Sequence, residues 1–136
     1  RDYYPFYTQD VIVEVPDEMT KDGAGEAMDD LVRKKEGERL LSRIRPDAFV
    51  ITLEITGKKM DSIQFAKVLQ RACVEGKSHI QFIIGGSLGL HDSVSRRADL
   101  KLSFSDMTFP HQLMRVILCE QIYRGYRIIN GCPYHK

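Results

Sequence analysis

An α/β fold, a parallel sheet with helices on both faces, is predicted for this chain by three observations. Short apolar runs alternate with helical patterns in the order β-α-β-α-β-α-β-α. The later runs are apolar throughout rather than alternating, as strands are when both faces of a sheet are covered. The length, 136 residues, suits one domain with one core.

The elements follow in order. Val11-Ile12-Val13-Glu14-Val15 is β-branched and closed by Pro16, a strand. Asp17 to Gly25 is acidic with two glycines and reads as a mobile loop. Glu26 to Arg43 reads as a helix with one wet face, because Met28, Leu31, Leu40, Leu41 and Ile44 are sparse and the middle is charged. Ala48 to Glu54 is a continuous apolar strand, and Thr56-Gly57-Lys58-Lys59 is read as the turn after it. Asp61 fits an N-cap with Gln64 completing a capping box. Phe65, Val68, Leu69 and Ala72 then fall on one helical face, and Gly76 stops the helix.

Ile80 to Ile84 is a buried-type strand running into Gly85-Gly86-Ser87-Leu88-Gly89. Asp92 to Ala98 reads as a short helix, Leu100 to Phe104 as a strand and Ser105 to Pro110 as a loop, with Pro110 suited to a first helical turn. From His111 to Ile129 the pattern is helical and apolar on most sides (Leu113, Met114, Val116, Ile117, Leu118, Ile122), as in a core or a subunit interface. Residues 130–136 are irregular. The chain opens on Arg1-Asp2-Tyr3-Tyr4-Pro5 without Met, which reads as the end of a helix or the loop after one. An N-terminal strand and part of the first helix, about 20–25 residues, are therefore expected to be missing.

Composition narrows the classes. Apolar residues make up 43% and charged residues 29%, with no run near the ~20 apolar residues of a membrane span and no signal-peptide pattern, so a cytoplasmic protein is expected. The three cysteines are odd in number and none is spaced C-x-x-C, which supports neither a disulfide framework nor zinc. Cys73 and Cys119 read as small core residues and Cys132 as an exposed thiol, suiting a reducing compartment. A net charge of +1 gives no general grip on nucleic acid. Contact with RNA would rest on Lys58-Lys59, Arg96-Arg97, or Arg115 with Arg124 and Arg127, each of which reads equally as solvated surface.

Ligands of parallel sheets bind beyond the carboxyl ends of the strands. Leu53, Gly85 and Phe104 each close a strand in this reading. The glycines from Gly85 let backbone approach a ligand. They lack G-x-G-x-x-G spacing and a Walker lysine, so neither a dinucleotide nor a nucleoside triphosphate is indicated. Gly86 to Gly89 remains open as a tight turn or as the G-x-x-G clamp of a KH-like RNA-binding module, which has no need of the long apolar helix. Phe104-Ser105-Asp106-Met107-Thr108-Phe109 combines aromatics, Met and small hydroxyls. It suits an amphipathic ligand such as adenine with its ribose, or else Phe104 and Phe109 plug the core. His79 and His91 read as surface or cap residues, and composition alone reads Pro133-Tyr134-His135-Lys136 as a disordered end.

The strings VITLEITGK (50–58), FIIGGSLGL (82–90), LSFSDMTFPHQLMRVILCEQIYRGYRI (102–128) and PYHK (133–136) resemble the RlmH family, with EVPDE (14–18) and KEGERLL (35–41) in agreement. These are SPOUT-class enzymes that methylate N3 of a pseudouridine in 23S ribosomal RNA. The resemblance runs from about residue 11 to the end. It implies a C-terminal trefoil knot, a rare exception to unknotted topology, and S-adenosylmethionine bound against Leu53, Gly85 and Phe104, Ser105, Asp106, Met107, Thr108 and Phe109. It also implies a homodimer, for which the helix 111–129 is the candidate interface, and 23S rRNA within the ribosome as substrate, with no membrane and no metal. His135 is the candidate base, with Tyr134 stacking on or bonding to the nucleotide and Arg115 on a phosphate. A SPOUT methyltransferase for another RNA, or a non-catalytic KH-like module, are the alternatives.

Overall fold

The structure, a computed structural model, describes residues 9–14, 25–77, 79–85 and 89–130. Its elements are β1 (Gln9–Glu14), α1 (Glu26–Leu41), β2 (Phe49–Lys59), α2 (Ser62–Val74), β3 (His79–Ile84), α3 (Asp92–Arg97), β4 (Leu100–Ser103) and α4 (His111–Ile129). The alternation is the one the sequence predicts. The four strands form one sheet in the order β1-β3-β2-β4, every pairing parallel.

Strand periodicity divides the core in two. Ile51 and Leu53 of β2, with Ile80, Phe82 and Ile84 of β3, point to the side where Phe65, Leu69 and Ala72 of α2 and Leu118 of α4 complete a cluster. Val50 and Ile83 point the other way, against Leu40 of α1 and Val94 of α3. Helices thus cover both faces, which is why β2 and β3 carry apolar side chains on both sides. Polar residues on the second face are bonded. Gln81, 4% exposed, accepts from the Arg45 N–H at 2.7 Å and donates to the Arg43 carbonyl at 2.9 Å. The Arg97 guanidinium donates to the carbonyls of Arg45, Pro46 and Ala48. The amino end of β2 is pinned by these bonds and by the Val50 N–H donating to Asp99 at 2.8 Å. Nearby, the hydrogen bond from Arg45 holds the exposed Asp47 carboxyl below its ordinary value.

The helix signals are realised in detail. Asp61 accepts from the Gln64 N–H at 2.7 Å and the Gln64 side chain accepts from the Asp61 N–H at 2.9 Å, the reciprocal capping box. Past its other end, Gly76 takes φ +83°. There the Lys77 N–H bonds the Ala72 carbonyl and the Gly76 N–H the Cys73 carbonyl, a Schellman closure. His91 caps α3 through Nδ1, which accepts from the Ser93 N–H.

Four expectations are corrected. The chain does not turn at Thr56-Gly57-Lys58-Lys59, because β2 continues to Lys59. Consequently Leu53 does not close its strand. Leu53 pairs with Leu102, then Lys58 pairs with Leu102 again, so residues 54–57 arch out between the two pairings and leave Ile55 48% exposed. Gly57 makes the arch possible: a Cβ there would lie 2.8 Å from the carbonyl carbon and oxygen of Lys101 and 2.9 Å from that of Leu102. Cys119 is exposed rather than a core residue, since α4 packs one face on the sheet and α2 and leaves the other uncovered. At the ends of elements, α1 stops at Leu41 and β4 at Ser103. Met28 and Leu31, read as apolar positions of α1, are 46% and 59% exposed, and the cover on the second face comes instead from Leu40, with Leu41 and Ile44 packed beside it.

The loop read at 17–25 lies outside the described residues apart from Gly25, as do Gly86, Ser87, Leu88 and the tail with Cys132. No helix among the described residues is long and apolar enough to cross a membrane.

Candidate functional site

Leu53, partway along β2 where β3 parts from it, lies on one edge of the sheet with Gly85 and Phe104, which follow the carboxyl ends of β3 and β4. Thr52 is level with Ile83 and Leu53 with Leu102. Leu53 therefore sits one residue beyond the last β2–β3 pair, and Gly85 and Phe104 two beyond their registered positions. At about 3.3 Å per residue, the three lie within roughly 7 Å of one line across the sheet. What makes Leu53 part of this edge is that β3 parts from β2 after Thr52, while β2 itself runs on beside β4.

Each position has its own reason. Leu53 is 9% exposed and faces the α2–α4 core. Gly85 is half-buried, and a Cβ there would fall 2.6 Å from Leu90 Cδ2. The absent side chain lets Leu90 fold back over the end of β3, and Gly89, at φ +85°, makes the bend before it. Phe104 packs partly against the core, so part of it does plug the interior. The loop after it is organised by Ser105: its carbonyl accepts from Ser103 Oγ at 3.1 Å, and its own Oγ accepts from the Met107 N–H at 3.0 Å. Met107 is then left 71% exposed, Thr108 exposed and Phe109 half-buried. Asp106 is bridged by Lys59 Nζ at 2.7 Å.

Two clefts flank this edge. One, of about 430 Å³, opens on the α2–α4 side between Phe104, Leu102, Met60, Phe65 and Ile117. Its size falls in the range of small-molecule pockets. The other, of about 650 Å³, lies between α1 and the 89–92 segment. Arg33 and Lys34 line it with Asp30 and Asp92, so its charge balances.

Of the basic clusters, only Lys58-Lys59 adjoins the edge. Arg97 is committed to backbone carbonyls, Arg124 pairs with Glu120 at 3.1 Å, and Arg127 lies over the Tyr123 ring at 5.9 Å. Arg115 is exposed on α4, beyond the 104–109 loop. Tyr134 and His135, like Gly86 to Leu88 of the clamp reading, lie outside the described residues. Among the described residues no three His, Cys, Asp or Glu side chains gather as a metal site.

Sequence reasoning missed Glu54 and gave Gly57 and Lys59 other roles, as part of a turn and of a basic pair. Glu54 accepts from Thr52 Oγ1 at 2.6 Å and from Ser95 Oγ at 2.8 Å, which ties the start of the arch to α3. The β-branched pair Ile55-Thr56 was the available sign that the strand continues.

Comparison with known proteins bears on the chemistry of this edge. The family model described as "Predicted SPOUT methyltransferase" matches residues 2–135. The chain is 57% identical over 125 residues to the ribosomal RNA large subunit methyltransferase H of Bifidobacterium adolescentis, covering 92% of this chain and 79% of that protein. It is 56% identical over 124 residues to the protein of the same name from an Exiguobacterium species (strain AT1b), covering 91% and 78%.

Proposed function

The chain belongs to the SPOUT methyltransferase family, and from that premise we propose that it transfers a methyl group from S-adenosylmethionine to N3 of a pseudouridine in 23S ribosomal RNA, acting on assembled ribosomes in the cytoplasm. The observation that carries the reading is the meeting of Leu53, Gly85 and the 104–109 loop at one sheet edge. The relatives' name supplies the RNA class. A KH-like module has no support from either.

The edge fits the donor's chemistry. An adenosine needs apolar walls and a few directional polar groups. Phe104 and the exposed Met107 offer the first, with Leu53 buried behind them in the core. Backbone groups of the loop and the Ser105 hydroxyl, held by the Met107 N–H and still able to donate, offer the second. Gly85 presents no side chain to obstruct approach. When bound, the donor supplies an electrophilic methyl on a sulfonium, and transfer needs in-line alignment of the acceptor nitrogen.

The chain's part is positional: to hold both reactants and exclude water. In this reading His135 takes the N3 proton, a contribution of about 10²–10⁴-fold. Tyr134 stacks on the uracil ring and Arg115 holds a phosphate. A trefoil knot in the C-terminal half and a homodimer built on α4 complete the proposal. The dimer accounts for Leu113, Val116 and Tyr123 being 46%, 64% and 52% exposed on a single chain.

The test is mass spectrometry of ribosomes incubated with donor and enzyme, beside calorimetry with S-adenosylmethionine. Wild type binds the donor and methylates the 23S pseudouridine, whereas His135→Ala binds it and loses at least a hundredfold in rate. Full activity of His135→Ala removes the base assignment. Methylation of transfer RNA instead of ribosomes overturns the substrate.

A further inference from the structure

Resting on the reading of residues 104–109 as the donor loop, we infer that Lys59 is a positioning residue for that loop, delivered by the extension of β2. After Thr52 the β3 partner is gone, and residues 54–57 leave the ladder. The strand nevertheless rejoins β4, pairing Lys58 with Leu102 and Lys59 with Ser103, the residue before the loop begins.

Gly57 admits this return by letting the two backbones approach where a Cβ would meet Lys101 and Leu102 within 2.9 Å. Lys59 is thereby fixed at its backbone beside Ser103, the last residue before the loop, and its ammonium reaches Asp106 at 2.7 Å. The loop's own bonds, Ser103 Oγ to the Ser105 carbonyl and the Met107 N–H to Ser105 Oγ, are local and shape only its first half. Lys59 ties that half to a different element.

Both partners are well exposed, 56% and 78%, so the tie is screened by salt and individually weak. Such a contact contributes little to global stability. It selects among loop conformations, and through them the donor's affinity, because a ligand meeting an ordered loop does not have to order it on binding.

The test uses the full chain with Lys59→Met, which keeps the aliphatic stem, and Lys59→Arg, which keeps the charge. Hydrogen exchange across 104–109 reads the tie without any ligand. It rises in Lys59→Met, stays near wild type in Lys59→Arg and is unchanged in α2 and β3. Calorimetry with S-adenosylmethionine reads its consequence. Lys59→Met binds about two- to fivefold more weakly at low salt, the gap closes near ~1 M salt, and Lys59→Arg restores affinity, while melting temperature is unmoved throughout.

Unchanged exchange in Lys59→Met overturns the inference, as does an affinity loss that persists at high salt or that arginine fails to rescue. Wild-type protein that binds no S-adenosylmethionine while Lys59→Met still loosens the loop overturns instead the donor reading, and the two failures are told apart.

Discussion

Replacing Gly57 by alanine tests the arch of β2 most directly. The added methyl would stand 2.8 Å from the Lys101 carbonyl carbon and oxygen and 2.9 Å from the Leu102 carbonyl carbon. All three are backbone atoms of β4, so no side chain can swing aside. Overpacking of this kind costs about 1–3 kcal/mol. Gly57 is not among the glycines with positive φ, so alanine suits its backbone and regains about 0.4–1 kcal/mol from the unfolded chain. The net loss is centred on about 1.3 kcal/mol and reaches at most about 2.6 kcal/mol. For a chain of this length the unfolding entropy is ~0.3 kcal/mol/K, so the melting temperature falls by about 4 °C, and by no more than about 9 °C, in calorimetry. Gly76→Ala is the contrast, because there φ is +83° and nothing lies within 4 Å of the new carbon. Its cost is backbone strain alone, about 1–2 kcal/mol. Hydrogen exchange separates the two: Gly57→Ala loosens β4 and the 104–109 loop, Gly76→Ala the end of α2. A Gly57→Ala protein that melts at or above wild type, with β4 undisturbed, refutes the close approach of the two strands.

Two further substitutions probe the frame around the site. Gln81→Met keeps the volume but strands the Arg45 N–H and the Arg43 carbonyl. At about 1–3 kcal/mol per stranded group, urea unfolding shows a loss of roughly 2–6 kcal/mol, with no change in donor affinity. Val116→Glu places a charge on the uncovered face of α4, where Val116 is 64% exposed. If that face joins two copies, sedimentation shows monomers in place of dimers; a persisting dimer moves the interface elsewhere.

What the sequence revealed and what it hid divide along physical lines. The Asp61–Gln64 box, the Gly76 stop and the Phe65-Leu69-Ala72 stripe are local: each is decided by residues within one or two helical turns, and each is found where expected. The apolar runs at 48–54 and 80–84 announced strands covered on both sides because burial on two faces leaves no polar alternation to read. His91 as a cap was likewise local chemistry. Cys119 was misread because an apolar helical pattern shows that a face is sticky without showing what covers it.

The β2 extension could not be read for a different reason. Thr56-Gly57-Lys58-Lys59 has the chemistry of a turn, and glycine's ordinary meaning there is freedom in φ. Here glycine answers to a neighbour far along the chain, the backbone of residues 101–102, and so its signal is in the pairing of β2 with β4 rather than in its own surroundings. The same holds for Lys59, whose partner Asp106 belongs to a separate element. The 104–109 loop drew notice through its composition, because aromatics, Met and hydroxyls together suit an amphipathic ligand. The bracket beneath it was not, because a bracket is geometry. A strand that leaves its ladder at residue 54 and returns at 58 does so against the ordinary economy of backbone hydrogen bonding, so something at its far end must hold it there. In this fold that something is β4, and the consequence of the return is a lysine set beside the loop that the proposed chemistry depends on.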